Sequence, residues 1–174
     1  MSTYRLTNEA AFQAAIAAGA IRLFVPHHPS ERSECILAGP SNVVAKLERP
    51  WGDGNDEAEI RRHQVLAACA LFVEGRVPTR LLFKCVSRRK GISEMRVLAP
   101  APGCRLVGGF LDDSVFVVLG IYRREEIAWR HCISGNAQSI RWKAVIEAAE
   151  MEWKVLFPGI PPMIPAAIRK SQGE

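Results

Sequence analysis

The chain has 174 residues, of which 48% are hydrophobic and 24% charged, and its formal net charge is +5 at pH 7. This length indicates one packed domain, or one domain with a sizeable appendage. No apolar run reaches 18 residues, which excludes a membrane-spanning helix, and the excess of positive charge favours an acidic partner such as nucleic acid.

Cysteine and histidine positions argue against a metal site. Five cysteines are scattered without a C-x-x-C pair, so we expect reduced thiols in a cytoplasmic protein. His27 and His28 are adjacent, but neighbouring side chains of an extended chain point in opposite directions, and no third ligand stands at a recognisable spacing. A Gly-rich phosphate loop and a dinucleotide fingerprint are also absent from the sequence, so we expect neither a metal nor a cofactor.

The chain begins with a predicted helix over about residues 8–18. Thr7 or Asn8 is a suitable N-cap, and Gly19 is a natural end for the helix. Residues 21–25 (IRLFV) are a possible strand.

The next stretch contains the best candidate for a domain boundary. Residues 36–47 are partly apolar, but Gly39-Pro40 interrupts them and leaves the segment unassigned. The loop at 50–55 (PWGDGN) follows, and its Trp51 is expected to pack as a lid on the core, with a base-stacking platform as the less favoured alternative. The sequence thus predicts an N-terminal extension or subdomain at 1–55, a main domain at 56–156 and a Pro-rich basic tail at 157–174.

Two further helices are predicted in the main domain. Asp56 and Glu59 have the spacing of a capping box, which opens a helix that runs to about residue 74. A last helix is expected over about 137–156, with an apolar arc wide enough to be well covered. The main apolar stripe of this last helix comprises Ile140, Ala144, Ala148, Met151 and Val155, widened by Trp142, Ile146, Ala149 and Trp153.

Between these helices the pattern is typical of strands. The run VFVVLGIY at 115–122 is eight residues long and rich in β-branched side chains, which favours a buried strand. Three more strand-like runs precede it, at 80–86, 93–99 and 104–111. We therefore predict an α+β fold with an antiparallel sheet of about four strands, helices packed on one face, and the N-terminal extension.

The predicted sheet concentrates cations. Arg96 and Arg105 stand on strands that form a hairpin, where like charges repel unless an anion or a carboxylate lies between them. Glu94 is one candidate for that carboxylate, and a phosphate is the other. Further basic residues follow at a turn and at the end of the last strand: Arg88, Arg89, Lys90, Arg123 and Arg124.

This arrangement suits an RNA or DNA backbone, because guanidinium groups contact phosphate in a bidentate manner. Cleavage of RNA by its own 2′-hydroxyl needs a base, a cation for the phosphorane charge and an acid, but no metal. Arg96 and Arg105 are candidates for the cation, His131 for the acid or base, and Tyr122 for base stacking or proton donation. The alternative is that the strand arginines are satisfied by neighbouring carboxylates and that His131 is simply solvated.

The stretch from 80 to 131 resembles the RelE/ParE toxin superfamily, and in particular HigB-like and phage-derived RelE-like members. The resemblance rests on the basic turn at 88–90, the segment GISEMR at 91–96, CRLV at 104–107, and the apolar strand at 115–122 with Arg123-Arg124 after it. This chain departs from the family pattern where Glu125 and Glu126 follow at once, and where residues 1–55 have no counterpart.

The resemblance implies the toxin of a toxin–antitoxin system, a cytoplasmic, metal-independent mRNA endonuclease that can act at the ribosome and is silenced by a cognate antitoxin. It implies Arg96, Arg105 and Arg123 as phosphate-facing cations and the turn at 88–90 as an RNA contact. The alternative is a non-catalytic binding protein on the same fold, such as a gyrase-type partner inhibitor or a phage or mobile-element accessory factor. Residues 1–55 and the acidic pair at 125–126 favour this alternative.

Overall fold

The computed structural model describes residues 3–26, 33–51, 56–76, 82–101, 103–127 and 140–171. The helices in these ranges are α1 (Thr3–Ala17), α2 (Ser41–Glu48), α3 (Asp56–Val73), α4 (Arg124–Ile127), α5 (Ile140–Leu156) and α6 (Ala166–Ser171). The strands are β1 (Arg22–Leu23), β2 (Ile36–Gly39), β3 (Phe83–Ser87), β4 (Ile92–Val97), β5 (Cys104–Phe110) and β6 (Val115–Arg123).

The strands form one mixed sheet in the order β1-β2-β6-β5-β4-β3. The four strands predicted from the sequence are present as β3 to β6, and each pairs antiparallel with the next. The prediction of about four antiparallel strands nevertheless missed two strands. β2 pairs parallel to β6, and β1 pairs antiparallel to β2. The sequence pattern did not show β2 because Gly39-Pro40 interrupts the segment. β2 ends there, and α2 begins directly after Pro40.

Helices cover both faces of the sheet, which corrects the expectation of helices on one face. On one face, Phe72 of α3 packs edge-to-face on Phe83 of β3, with their ring centroids 5.1 Å apart, in a core that also contains residues of α2 and α6. On the other face, Trp153 of α5 and Phe12 of α1 pack with Val117 of β6. Because helices cover both faces of the sheet, β6 is buried on both sides. Its sequence is therefore a continuous apolar run and not an alternation of apolar and polar residues.

The orientation of α5 also differs from the expectation. Trp153 is 1% exposed, whereas Met151 and Val155 of the predicted apolar stripe are 69% and 75% exposed. Gly109 of β5 explains the seating of the indole, because a Cβ there would lie 2.7 Å from the ring of Trp153. The bulkier stripe of α5 faces the sheet, and the stripe of smaller side chains faces outward.

The segment before residue 55 contributes β1 and β2 to the same sheet and α1 to one of its faces. The sheet thus contains strands from both sides of residue 55. The division into domains at that residue stays a prediction. None of the helices in the described ranges combines the length and the apolar character that a membrane crossing requires.

Candidate functional site

Three of the side chains predicted for the site form one row across the sheet. Arg96 of β4 pairs with Arg105 of β5, and Arg105 pairs with Tyr122 of β6. The row lies on the face that α5 packs against, because Arg105 is two residues from Val107, which belongs to the cluster around Ile146 of α5. The alternation of the strands thus brings the two guanidinium groups to adjacent positions, as the sequence predicted.

Arg105 is neutralised by a buried carboxylate. Its Nε lies 3.2 Å from Oε2 of Glu94, and the two side chains are only 9% and 10% exposed. A second guanidinium nitrogen of Arg105 donates a hydrogen bond of 2.8 Å to the carbonyl oxygen of Cys104. Of the two anions considered for the gap between the arginines, Glu94 is the one that holds Arg105.

Burial and charge oppose each other at Glu94. Burial raises the pKa of the Glu94 carboxyl, and the charges of Arg105, Arg96, Lys84 and Arg124 lower it by a smaller amount. Burial also lowers the pKa of Arg105. Both pKa shifts show that burial disfavours the charged form of each residue. Each charge is therefore stabilised by its partner against the unfavourable free energy of desolvation.

Arg96 is the less buried of the two arginines in the row. Its side chain is half-buried, and its Nε is buried without a hydrogen-bond partner in the described part of the chain. Arg124 is exposed and close enough for its charge to act on Glu94 and Arg105. Arg96 and Arg124 therefore present positive charge that the buried carboxylate does not neutralise.

Tyr122 closes the other end of the row. Its ring folds back over Gly120, where a Cβ would lie only 2.6 Å from the ring. Burial, with a smaller contribution from Glu126, raises the pKa of the Tyr122 phenol. The phenol therefore keeps its proton at neutral pH and is a hydrogen-bond donor.

The other predicted site residues lie elsewhere. Arg123 points to the opposite face, because it follows Tyr122 on the strand and pairs with Cys104. The turn at 88–90 lies at the other end of β4, since Ile92 and Arg96 are four residues apart, or about 13 Å. His131 lies outside the described residues, as do His27, His28 and Cys132.

The basic turn at 88–90 is tied to α5. Lys90 Nζ lies 2.6 Å from Oε2 of Glu150, while Arg88 and Arg89 are exposed. Hydrogen bonds from Lys154 and Lys90 lower the pKa of Glu150 to about 2. The turn and the row thus form two separate basic regions at the two ends of the sheet.

A cavity of about 840 Å³ opens at the same end of the sheet as the row, lined from the opposite face by Cys104, Ile121 and Arg123 and also by Tyr122 of the row. Its other walls are Arg22 of β1, the stretch from Ser41 to Trp51, and Glu126 of α4. Four cations line it: Arg22, Lys46, Arg49 and Arg123. The sequence prediction included Arg123 alone, because the others come from points of the chain that only the tertiary structure brings together.

The described residues contain no group of three or more His, Cys, Asp or Glu side chains that could hold a metal ion. The cysteines in these ranges (Cys35, Cys69, Cys85 and Cys104) are free thiols, and burial raises the pKa of Cys69 to about 12. Comparison of the chain with protein families, with curated proteins and with solved structures found no match.

Proposed function

We propose that this chain binds RNA at the cationic end of its sheet. The observation behind the proposal is the row in which Arg96 stands beside Arg105 and Tyr122, with Arg124 close to it. The Nε of Arg96 is buried, so only the terminal nitrogens of this half-buried guanidinium can reach a phosphate oxygen, and a neighbouring phenol is suited to a base or a sugar hydroxyl. The net charge of +5 adds attraction for a polyanion.

The RelE/ParE resemblance extends this proposal to cleavage by the toxin of a toxin–antitoxin system. In that reaction the 2′-oxygen of the RNA bonds to phosphorus, the bond from phosphorus to the 5′-oxygen breaks, a base takes the 2′-proton and an acid protonates the leaving oxygen. In this proposal Arg96 stabilises the phosphorane charge and Tyr122 donates the proton. Arg105 acts through Glu94 as a positioning residue, because it is too buried to touch RNA in this conformation.

A non-catalytic binding protein is the second candidate, and the buried pair favours it. Arg105 and Glu94 satisfy each other, which leaves Arg96 as the one cation of the row for a phosphate, whereas the RelE/ParE resemblance implies that both arginines face it. Glu125 and Glu126 are also exposed beside Arg124, and two carboxylates there weaken the hold on a second phosphate. RNA binding is common to both candidates, and cleavage separates them.

We expect Arg96→Ala to weaken the binding of a short single-stranded RNA by about tenfold, the loss typical of one charge-assisted contact. The measurement is fluorescence anisotropy of labelled RNA with the purified chain in EDTA, repeated over a salt series. The slope of log K against log salt should fall by about one for the variant, because one phosphate contact is removed. A denaturing gel of the same samples reports cleavage.

Arg89→Ala is the matched control, since Arg89 is an exposed arginine at the opposite end of the sheet. If the row is the RNA site, Arg89→Ala leaves the affinity within about twofold, a difference well below one lost contact. Equal losses from the two substitutions would mean either that the basic turn contacts RNA, as the resemblance implies, or that net charge alone attracts it, and both would contradict a site confined to the row. Intact RNA after incubation with a chain that binds it would support the non-catalytic candidate.

A further inference from the structure

The cavity at the cationic end of the sheet has the size of a small-molecule site. Its volume of about 840 Å³ lies within the usual range for ligand pockets, roughly 300–1,000 Å³. It is built from four separate parts of the chain: Arg22 of β1, the stretch from Ser41 to Trp51, the start of β5, and the end of β6 with Glu126. Cys104 and Ile121 contribute apolar wall from the sheet, and Ser41 and Asn42 contribute polar groups from the start of α2.

The charge of this lining is positive. Lys46 and Arg49 are exposed, and neither has an ion-pair partner among the described residues. Arg22 pairs with Glu48, and Arg123 lies 3.8 Å from Glu125, so these two cations are partly neutralised. Lys46 and Arg49 are therefore the two cations whose charge is available to an anion in the cavity.

Trp51 supplies a fixed planar surface next to these two cations. Its indole Nε1–H donates to the carbonyl oxygen of Lys46, and its backbone N–H donates to the carboxylate of Glu59. One side of the residue packs on the core, as a lid, while the residue also lines the cavity. A tryptophan whose ring N–H and backbone N–H are both hydrogen-bonded loses little conformational freedom when a planar group stacks on its indole.

We infer that this cavity binds a nucleoside monophosphate group, with the phosphate at Lys46 and Arg49 and the base against Trp51. A phosphate without a base would leave the indole unused, and a neutral aromatic molecule would leave the two cations unused. The group belongs either to a free nucleotide or to the 5′-phosphorylated end of an RNA strand, since both carry the same chemistry. The inference goes beyond the RNA proposal because it rests on Lys46, Arg49 and Trp51, none of which belongs to the row, although Tyr122 at the end of the row also lines the cavity.

The test is isothermal titration calorimetry of the full chain with AMP, adenosine and inorganic phosphate. We expect AMP to bind more tightly than either part. In the double variant Lys46→Ala/Arg49→Ala the affinity for AMP should fall by at least about tenfold. Trp51→Leu should weaken AMP but leave inorganic phosphate unchanged, and far-UV circular dichroism checks that this variant is folded.

The matched control is Lys143→Ala/Lys154→Ala, which removes the same charge from exposed positions on α5. AMP affinity should be unchanged in this control and in Arg96→Ala, so the result does not depend on the RNA proposal. If AMP does not bind but a 5′-phosphorylated RNA binds better than its unphosphorylated form, and Lys46→Ala/Arg49→Ala removes the difference, the RNA end is the source of the group. No saturable binding of either probe, equal losses in the two double variants, or phosphate binding as tight as AMP binding would each overturn the inference.

Discussion

Arg105→Met is expected to lower the free energy of unfolding by about 3–5 kcal/mol at neutral pH, because it leaves the carboxylate of Glu94 buried without its partner. Methionine keeps most of the length of the side chain, so the loss reports the charge and little of the packing. Glu94 and Arg105 are each 7% exposed, and solvent cannot replace the guanidinium. Urea unfolding followed by circular dichroism gives the free energy difference.

The loss should depend on pH in a direction that identifies Glu94. The pKa of Glu94 in the folded chain lies above its ordinary value of 4.5. A carboxyl of this kind favours folding most when it is protonated, and this contribution is lost as the pH rises through the folded-state pKa. The charge of Arg105 lowers this pKa, so Arg105→Met raises it further. The loss should therefore be large at about pH 7.5 and smaller at about pH 5.

Two variants control this experiment. Glu94→Gln/Arg105→Met removes the unpaired charge and should recover part of the stability, with little remaining pH dependence. Arg89→Met changes an exposed arginine and should stay within about 0.5 kcal/mol of the parent chain. A loss for Arg105→Met that is below about 1 kcal/mol, or the same at both pH values, would contradict the buried pair.

The pairing of Arg105 with Tyr122 was not predicted, because a register shift between Val107 and Gly108 moves β6 by one residue relative to β5. Local patterns in the sequence were sufficient for the central strands and for the nearness of Arg96 and Arg105. The run VFVVLGIY favoured a buried strand, and the hairpin of the two preceding runs put the two arginines on paired strands. These two features depend on neighbours in the chain, which is why the sequence could predict them.

Features that depend on distant segments were not predictable in the same way. The parallel pairing of β2 with β6 joins residues almost 80 positions apart, such as Leu37 and Phe116. The cavity joins Arg22, Arg49 and Arg123, which have no common spacing in the sequence. Whether Glu94 or a phosphate separates the two arginines also depended on burial, and burial is a property of the whole fold.

The last helix shows the limit of periodicity. Both stripes of α5 recur at helical spacing, so the period could not tell which of them faces the sheet. The stripe with the larger side chains faces the sheet, because Trp153 fills the space above Gly109, where β5 has no side chain of its own. Shape complementarity of this kind is visible only when both partners are in place.

Trp153→Ala is accordingly expected to lower the free energy of unfolding by about 3–5 kcal/mol, the usual cost of removing a large buried aromatic side chain. The indole is 1% exposed and its ring centroid lies 4.8 Å from that of Phe157. Its Nε1–H donates a hydrogen bond of 2.7 Å to the carbonyl oxygen of Ile160, which would lose its partner. Urea unfolding again provides the measurement.

Val155→Ala is the matched control on the same helix, two residues away and 75% exposed. It should change the free energy of unfolding by no more than about 0.5 kcal/mol, because its side chain is already in solvent. If Val155→Ala were the more destabilising of the two, α5 would present its other stripe to the sheet. Gly109 would then lose its contact with the indole, and Glu150 would turn away from Lys90, which would free the basic turn from the helix that now holds it.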